Sequence, residues 1–186
     1  VYRAEFTIEK SIAQIKKSLS EIGVDYELIL VDDGSPDRSW ELIAKAFKTD
    51  RKIKGIKLSR NFGQHYAITA GLANTAGDWV VVLDCDLQDD PKEITNLHNQ
   101  VLEGYNMVLA RRVYRQDSFI KKMTSKYFYS VFGYLTGTKQ DATIANYGIY
   151  NIKVINAILS MKDKVRYFPT MAQGGWFFRE ILRCET

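Results

Sequence analysis

The sequence is poor in cysteine and histidine, with two of each in 186 residues. One cysteine lies inside an acidic motif and the other near the C-terminus, so neither a disulfide framework nor a Cys/His zinc pattern is available. The expected setting is reducing and cytosolic. Long apolar runs are also missing: nothing approaches the roughly 18–20 residues needed to span a bilayer, and no signal-peptide pattern opens the chain. Internal repeats and low-complexity tracts are absent. No nucleic-acid-binding motif is recognisable, which argues against nucleic acid as a partner. No glycine-rich, lysine-bearing triphosphate loop is seen either, which argues against nucleotidyl transfer.

What is present is ordinary for a globular protein, 46% hydrophobic and 26% charged, and fits one domain over residues 1–186 with a sizeable core. The formal net charge of +4 hides an asymmetry. Residues 1–105 carry 13 Lys and Arg against 17 Asp and Glu, whereas residues 106–186 carry 13 against 5. A basic C-terminal part suits phosphates or an anionic membrane surface, although a solvated basic face reads the same way for any single residue.

Two strand-like runs end in carboxylates. Trp79-Val80-Val81-Val82-Leu83 leads into Asp84-Cys85-Asp86-Leu87-Gln88-Asp89-Asp90-Pro91, and Tyr26-Glu27-Leu28-Ile29-Leu30-Val31 leads into Asp32-Asp33-Gly34-Ser35-Pro36-Asp37. Side chains alternate along a strand, so Asp84 and Asp86 are expected on one face and Cys85 on the other. Two carboxylates on one face suit Mg²⁺ or Mn²⁺, hard cations that bind one or two carboxylates together with substrate phosphates. Either run alone is also compatible with a solvated acidic loop. Together they point to one cleft, because ligands of open α/β sheets sit beyond the carboxyl ends of parallel strands.

Ile8, Ile12, Ile15, Leu19 and Ile22 recur at helical spacing and predict an amphipathic helix over 5–22, closed by Gly23. Strands at 26–31, 53–58, 79–83 and 106–110 then alternate with helices at 39–47, 64–74 and 91–103. This alternation predicts an α/β fold, Rossmann-like, with a mostly parallel sheet and helices on both faces. After Ala110 the residues 111–117 read as a polar loop. A long helix over 118–136 follows, capped by Ser118; its broad apolar face suits core packing, a protein interface or a membrane surface. Neither His65, near a helix start, nor His98, on a helix surface, is expected to do chemistry. Trp176, Phe177 and Phe178 fit core packing as well as an acceptor or membrane face.

The motif Val31-Asp32-Asp33-Gly34-Ser35-Pro36-Asp37-Arg38-Ser39 resembles the nucleotide-binding signature of family-2 glycosyltransferases with the GT-A fold, and Asp84-Cys85-Asp86 resembles their Asp-x-Asp. Val1-Tyr2 is similar to the tail of the family's first-strand motif, and Ser59-Arg60-Asn61-Phe62-Gly63-Gln64 with Ala70-Gly71-Leu72 to a further stretch. Residues 84–91 look most like the polyprenyl-phosphate branch. Both ends are expected to be cut: too few residues precede the first helix for an opening strand, and 179–184 reads as a strand continuing onward.

The resemblance implies a nucleoside-diphosphate sugar as donor and polyprenyl phosphate as acceptor, with an inverting, metal-dependent transfer at the cytoplasmic face of the membrane. A saccharide acceptor in capsule, O-antigen or other cell-envelope polysaccharide synthesis is the alternative, and a non-catalytic nucleotide-sugar-binding module is another. It assigns Tyr2, Asp32, Asp33, Arg60 and Asp84 to nucleotide-sugar binding, with Asp33 accepting from the base. Asp84, Asp86 and Gln88 would surround the Mg²⁺ or Mn²⁺, and Gln88 is expected next on their strand face. Arg111 and Arg112, with Arg115, would meet phosphate oxygens; Arg60 would either do likewise or brace carboxylates. Arg166 and its neighbours are a further candidate phosphate contact. One departure stands out: by alignment Asn146 falls where many family members carry an Asp base, and Gly148 where this branch usually has Arg. Asparagine takes no proton, which an already anionic phosphate acceptor tolerates.

Overall fold

A computed structural model describes the backbone of residues 1–112, 144–161 and 179–184. The expected helix at 118–136, Arg115, Arg166 and the aromatic run at 176–178 lie outside the described residues. The elements, in order, are α1 (Ile8–Ile22), β1 (Leu28–Asp32), α2 (Ser39–Thr49), β2 (Ile53–Lys57), α3 (Gln64–Leu72), β3 (Trp79–Val82), α4 (Glu93–Val101), β4 (Met107–Arg112), β5 (Ile144–Asn151), α5 (Ile152–Ser160) and β6 (Arg179–Cys184).

The strands form two hydrogen-bonded groups, β1–β2 and β3–β5–β4–β6. β1 and β2 are parallel, in register from Leu28 opposite Ile53 to Asp32 opposite Lys57. In the larger group β6 runs parallel to β4, and β5 runs antiparallel to both β3 and β4. β3, β4 and β6 therefore share one direction, and β5 is the reversed strand. The alternation of elements up to β4 was legible in the sequence; β5 and α5 were not. Within β5, Tyr147 and Ile149 pack into one core and Tyr150 into the other, so this part of the strand is covered on both faces and shows no polar–apolar alternation.

Helices cover both faces. Val80, Val82, Met107, Leu109 and Tyr150 pack with Leu72 of α3 and Val154, Ile155 and Ile158 of α5. The alternate residues Val108, Ala110, Tyr147 and Ile149 pack with Ile15 of α1 and Ile94, Leu97 and Val101 of α4. Consecutive residues of β4 thus supply opposite cores, as the pleat requires. A third cluster joins Ile8 and Ile12 of α1 to Leu30, Ile43 and Ile53. α1 starts at Ile8 and ends where the Gly23 N–H, at φ +74°, donates to the Leu19 carbonyl, a left-handed cap.

Val1 continues the first group: its amine donates to the Val31 carbonyl at 2.8 Å, and the Asp33 N–H donates to the Val1 carbonyl at 2.9 Å. This is the bonding of a parallel pair between Val1 and Asp32. Beyond it, β1 and β3 face one cavity of about 830 Å³, lined by Leu28–Val31 of β1, by β3, and by apolar residues of α1 and α3. Its mouth carries Asp33, Gln64, Asp84 and Asp86.

Candidate functional site

The first acidic turn is held from several directions. Asp32 is fully buried and Asp33 is 4% exposed. Asp32 Oδ1 accepts from the Ser35 N–H, while its buried Oδ2 has no partner among the described residues. Asp33 is occupied within the protein, its two oxygens accepting from the Phe62 N–H at 2.8 Å and the Gly63 N–H at 2.9 Å. Gly34, at φ +66°, lies against the same loop: a Cβ there would come within 2.5 Å of the Arg60 carbonyl carbon. The turn and the loop at 60–64 are one packed unit.

Residues 1–5 are tied to this turn. The Arg3 N–H donates to Ser35 Oγ, the Ala4 N–H to Ser39 Oγ and the Glu5 N–H to Asp37 Oδ2. Burial raises the Asp37 carboxyl, but donors from Ser39 and from the Glu5 backbone outweigh it and hold it below the usual carboxylate range. Tyr2 is thereby brought beside Asp32 and Asp33, 44% exposed, with the Arg3 guanidinium 5.4 Å from its ring centre.

The second acidic turn begins where β3 stops, at Val82. Alternation persists for two further contacts. Asp84 Oδ1 accepts from Gln64 Nε2 at 2.7 Å on the α3 side, and the Cys85 thiol lies 3.7 Å from Ser11 Oγ of α1, on the opposite side. It then breaks. Leu87 has φ +62°, and the Gln88 N–H folds back onto Asp86 Oδ1 at 3.0 Å, an Asx turn. The expectation that Gln88 follows Asp84 and Asp86 on one strand face is corrected accordingly: these residues form a turn, in which Asp86 and Gln88 are exposed and Asp84 half-buried. The turn is anchored from β5 by the Tyr147 hydroxyl, which donates to the Asp90 carbonyl. Beside it, burial lowers the His65 pKa and the Asp84 carboxylate partly offsets that shift.

Two expectations about arginines change. Arg111 and Arg112 close β4, opposite Arg183 and Cys184 of β6, instead of opening a loop. Among the described residues Arg60 pairs with no carboxylate; it is exposed, and its guanidinium sits 4.8 Å from the Phe62 ring centre. β4 shares the direction of β3, so both arginines stand at the same sheet end as the acidic turns. Asn146 lies in β5, where the β4–β5 register shifts between Leu109 and Arg111, a bulge of the kind that borders many active sites. Val82 pairs with Gly148, so Asn146 lies two residues beyond the last β3–β5 pair, toward the end of the sheet where β3 runs into the second acidic turn. At Gly148 itself a Cβ would come 2.8 Å from the Val108 carbonyl oxygen, so no arginine function transfers to that position.

The donor set fits a hard cation. Among the described residues no three His, Cys, Asp or Glu side chains cluster to enclose a metal. Asp84 and Asp86 offer carboxylate oxygens and leave the remaining positions to water and phosphate, as Mg²⁺ and Mn²⁺ prefer. Gln64 is the site residue that sequence reasoning passed over. It ends the quoted stretch 59–64, but nothing in its spacing shows that it reaches Asp84.

The Glycosyl transferase family 2 model matches residues 1–161. The undecaprenyl-phosphate 4-deoxy-4-formamido-L-arabinose transferase of Proteus mirabilis is 37% identical over 190 residues, covering 100% of this chain and 56% of that protein. Its counterpart from Shewanella sediminis is 35% identical over 175 residues, covering 94% of this chain and 53% of that protein. The chain thus spans about half the length of the curated relatives it matches. A solved structure of glucosyl-3-phosphoglycerate synthase from Mycobacterium tuberculosis, in complex with Mn²⁺, uridine-diphosphate-glucose and phosphoglyceric acid, aligns at TM-score 0.60 and 23% identity. The match covers 84% of this chain and 56% of that one. This likeness shows the fold, GT-A as expected. No described helix is long and apolar enough to cross a membrane.

Proposed function

The chain belongs to glycosyl transferase family 2, and from that premise we propose that it moves a sugar, with inversion, from a nucleoside-diphosphate sugar to polyprenyl phosphate at the cytoplasmic face of a membrane. The observation that carries this reading is the hydrogen bond from Gln64 to Asp84. It joins the loop clamped by Asp33 to the second acidic turn, so both carboxylate turns border one mouth. The relatives named for undecaprenyl phosphate supply the acceptor class.

In this reading Tyr2, Asp33 and Arg60 border the nucleoside, with the buried Asp32 behind Asp33. Asp84 and Asp86 would hold Mg²⁺ or Mn²⁺, and Gln88, in the same turn, would add a neutral oxygen. When bound, the cation offsets negative charge that builds on the diphosphate as the sugar leaves. Arg111 and Arg112, at the same sheet end, supply cationic donors to phosphate oxygens. Asn146 positions without taking a proton, because a phosphate monoester with a second pKa near 6 is already an anion at neutral pH.

Thermal unfolding with UDP or GDP, each with and without Mn²⁺, tests the donor site. Ligand at about 100 times its dissociation constant adds roughly 2.7 kcal/mol, which for a chain of this size is about 5–10 °C. A metal-dependent shift with one nucleotide, lost in Asp86→Ala, is expected; no shift with either overturns the reading. For the acceptor, Asn146→Asp is expected to leave transfer to polyprenyl phosphate no faster. A large gain in transfer to a saccharide hydroxyl would favour the alternative acceptor.

A further inference from the structure

Gln64 opens α3, yet its side chain serves another element. Its amide donates to Asp84 Oδ1 at 2.7 Å, twenty residues along the chain. A neutral amide donating to an ionised carboxylate is a charge-assisted bond, stronger than a neutral one, and it settles which oxygen is engaged and how the carboxylate is turned. The donor itself is placed from two sides. Upstream, the Phe62 and Gly63 N–H groups are fixed on the buried Asp33 carboxylate. Downstream, the Gly63 carbonyl accepts from Tyr66 and Ala67 to start the helix, and Ala67 and Leu72 bury α3. A side chain so fixed meets its partner with little ordering left to do.

We propose that residues 61–64 form a strut that sets Asp84, with Asp33 as its anchor and Gln64, at its tip, as a positioning residue for the Asp84 carboxylate. The inference rests on the donor-site reading above and adds to it a role for Gln64 and a structural duty for Asp33. With Oδ1 held by Gln64, the carboxylate keeps one orientation toward a cation shared with Asp86. Gln64→Ala removes this donor from the Asp84 carboxylate while the fold stays, because Gln64 is exposed. Partners that orient metal ligands typically contribute about 10–100-fold in affinity; the exposure of this contact puts the expected loss at about tenfold.

The experiment is Mn²⁺ titration of the intact chain with saturating UDP or GDP, followed by electron paramagnetic resonance. It is run on wild type, Gln64→Ala, Asp84→Asn and the double variant. Gln64→Ala is expected to weaken Mn²⁺ about tenfold with an unchanged unfolding midpoint, and to add nothing once Asp84 is Asn, since the cycle isolates a coupling between the two. A second measurement addresses the anchor. Asp33→Asn replaces one acceptor by a donor facing an N–H, so amide exchange at Phe62 and Gly63 should quicken. Unaltered Mn²⁺ affinity in Gln64→Ala, or an equal loss with and without Asp84, overturns the strut while the donor site stands. Unchanged exchange in Asp33→Asn removes the anchor. Absence of Mn²⁺ binding by the wild-type chain overturns both the strut and the donor site.

Discussion

Replacing Gly34 by alanine perturbs the joint between the first acidic turn and the loop that carries Gln64. Two effects add. At φ +66° an L-residue is in the left-handed region, which costs about 1–2 kcal/mol. The new methyl would also stand 2.5 Å from the Arg60 carbonyl carbon, 2.6 Å from the Asn61 nitrogen and 2.8 Å from the Arg60 Cα. All three are backbone atoms that cannot swing aside, so the turn or the loop must shift, at a further cost of about 1–3 kcal/mol for overpacking. Gly23 separates the two effects: it has φ +74° and nothing within 4 Å of an added Cβ. Thermal unfolding should therefore show Gly23→Ala lowering the midpoint by about 2–8 °C and Gly34→Ala by about 4–20 °C. Gly34→Ala should also lose part of the Mn²⁺-dependent nucleotide shift. Equal midpoints for the two variants would refute a close packing of turn on loop.

Glu27, just ahead of β1, accepts from the Ala76 N–H at 2.6 Å and pairs with Lys54. Burial raises its carboxyl, but Lys54 and the Ala76 and Gly77 N–H groups outweigh it and hold the pKa below 4.5. A carboxyl lowered in the folded state contributes stability that is present above its unfolded pKa and lost as pH falls through the folded value. Glu27→Gln should cost about 1 kcal/mol at neutral pH and flatten the loss of stability below about pH 4.5; an unchanged acid limb in thermal unfolding would count against the pairing.

The sequence by itself determined the succession of elements up to β4 and the two acidic turns. Both are local properties. Ile8, Ile12 and Ile15 repeat at helical spacing whatever they pack on, and an apolar run that stops at a carboxylate marks a strand end without reference to any neighbour. It also carried the family, since the quoted motifs are contiguous stretches. It did not yield β5, whose covered faces leave no alternation to read, nor the extension of β4 through Arg111 and Arg112, which depends on pairing with β6. Nor did it show that the chain turns at Leu87 and brings the Gln88 N–H back onto Asp86. Only the tertiary structure decided which partners the carboxylates meet. Asp33 is given to the Phe62 and Gly63 backbone, Asp84 to Gln64, and Cys85 to Ser11. These are contacts between residues some 20 to 74 positions apart. Hydrogen bonds act over about 3 Å, and which distant residues come within that reach is fixed by the packing of helices on the sheet, not by spacing along the chain.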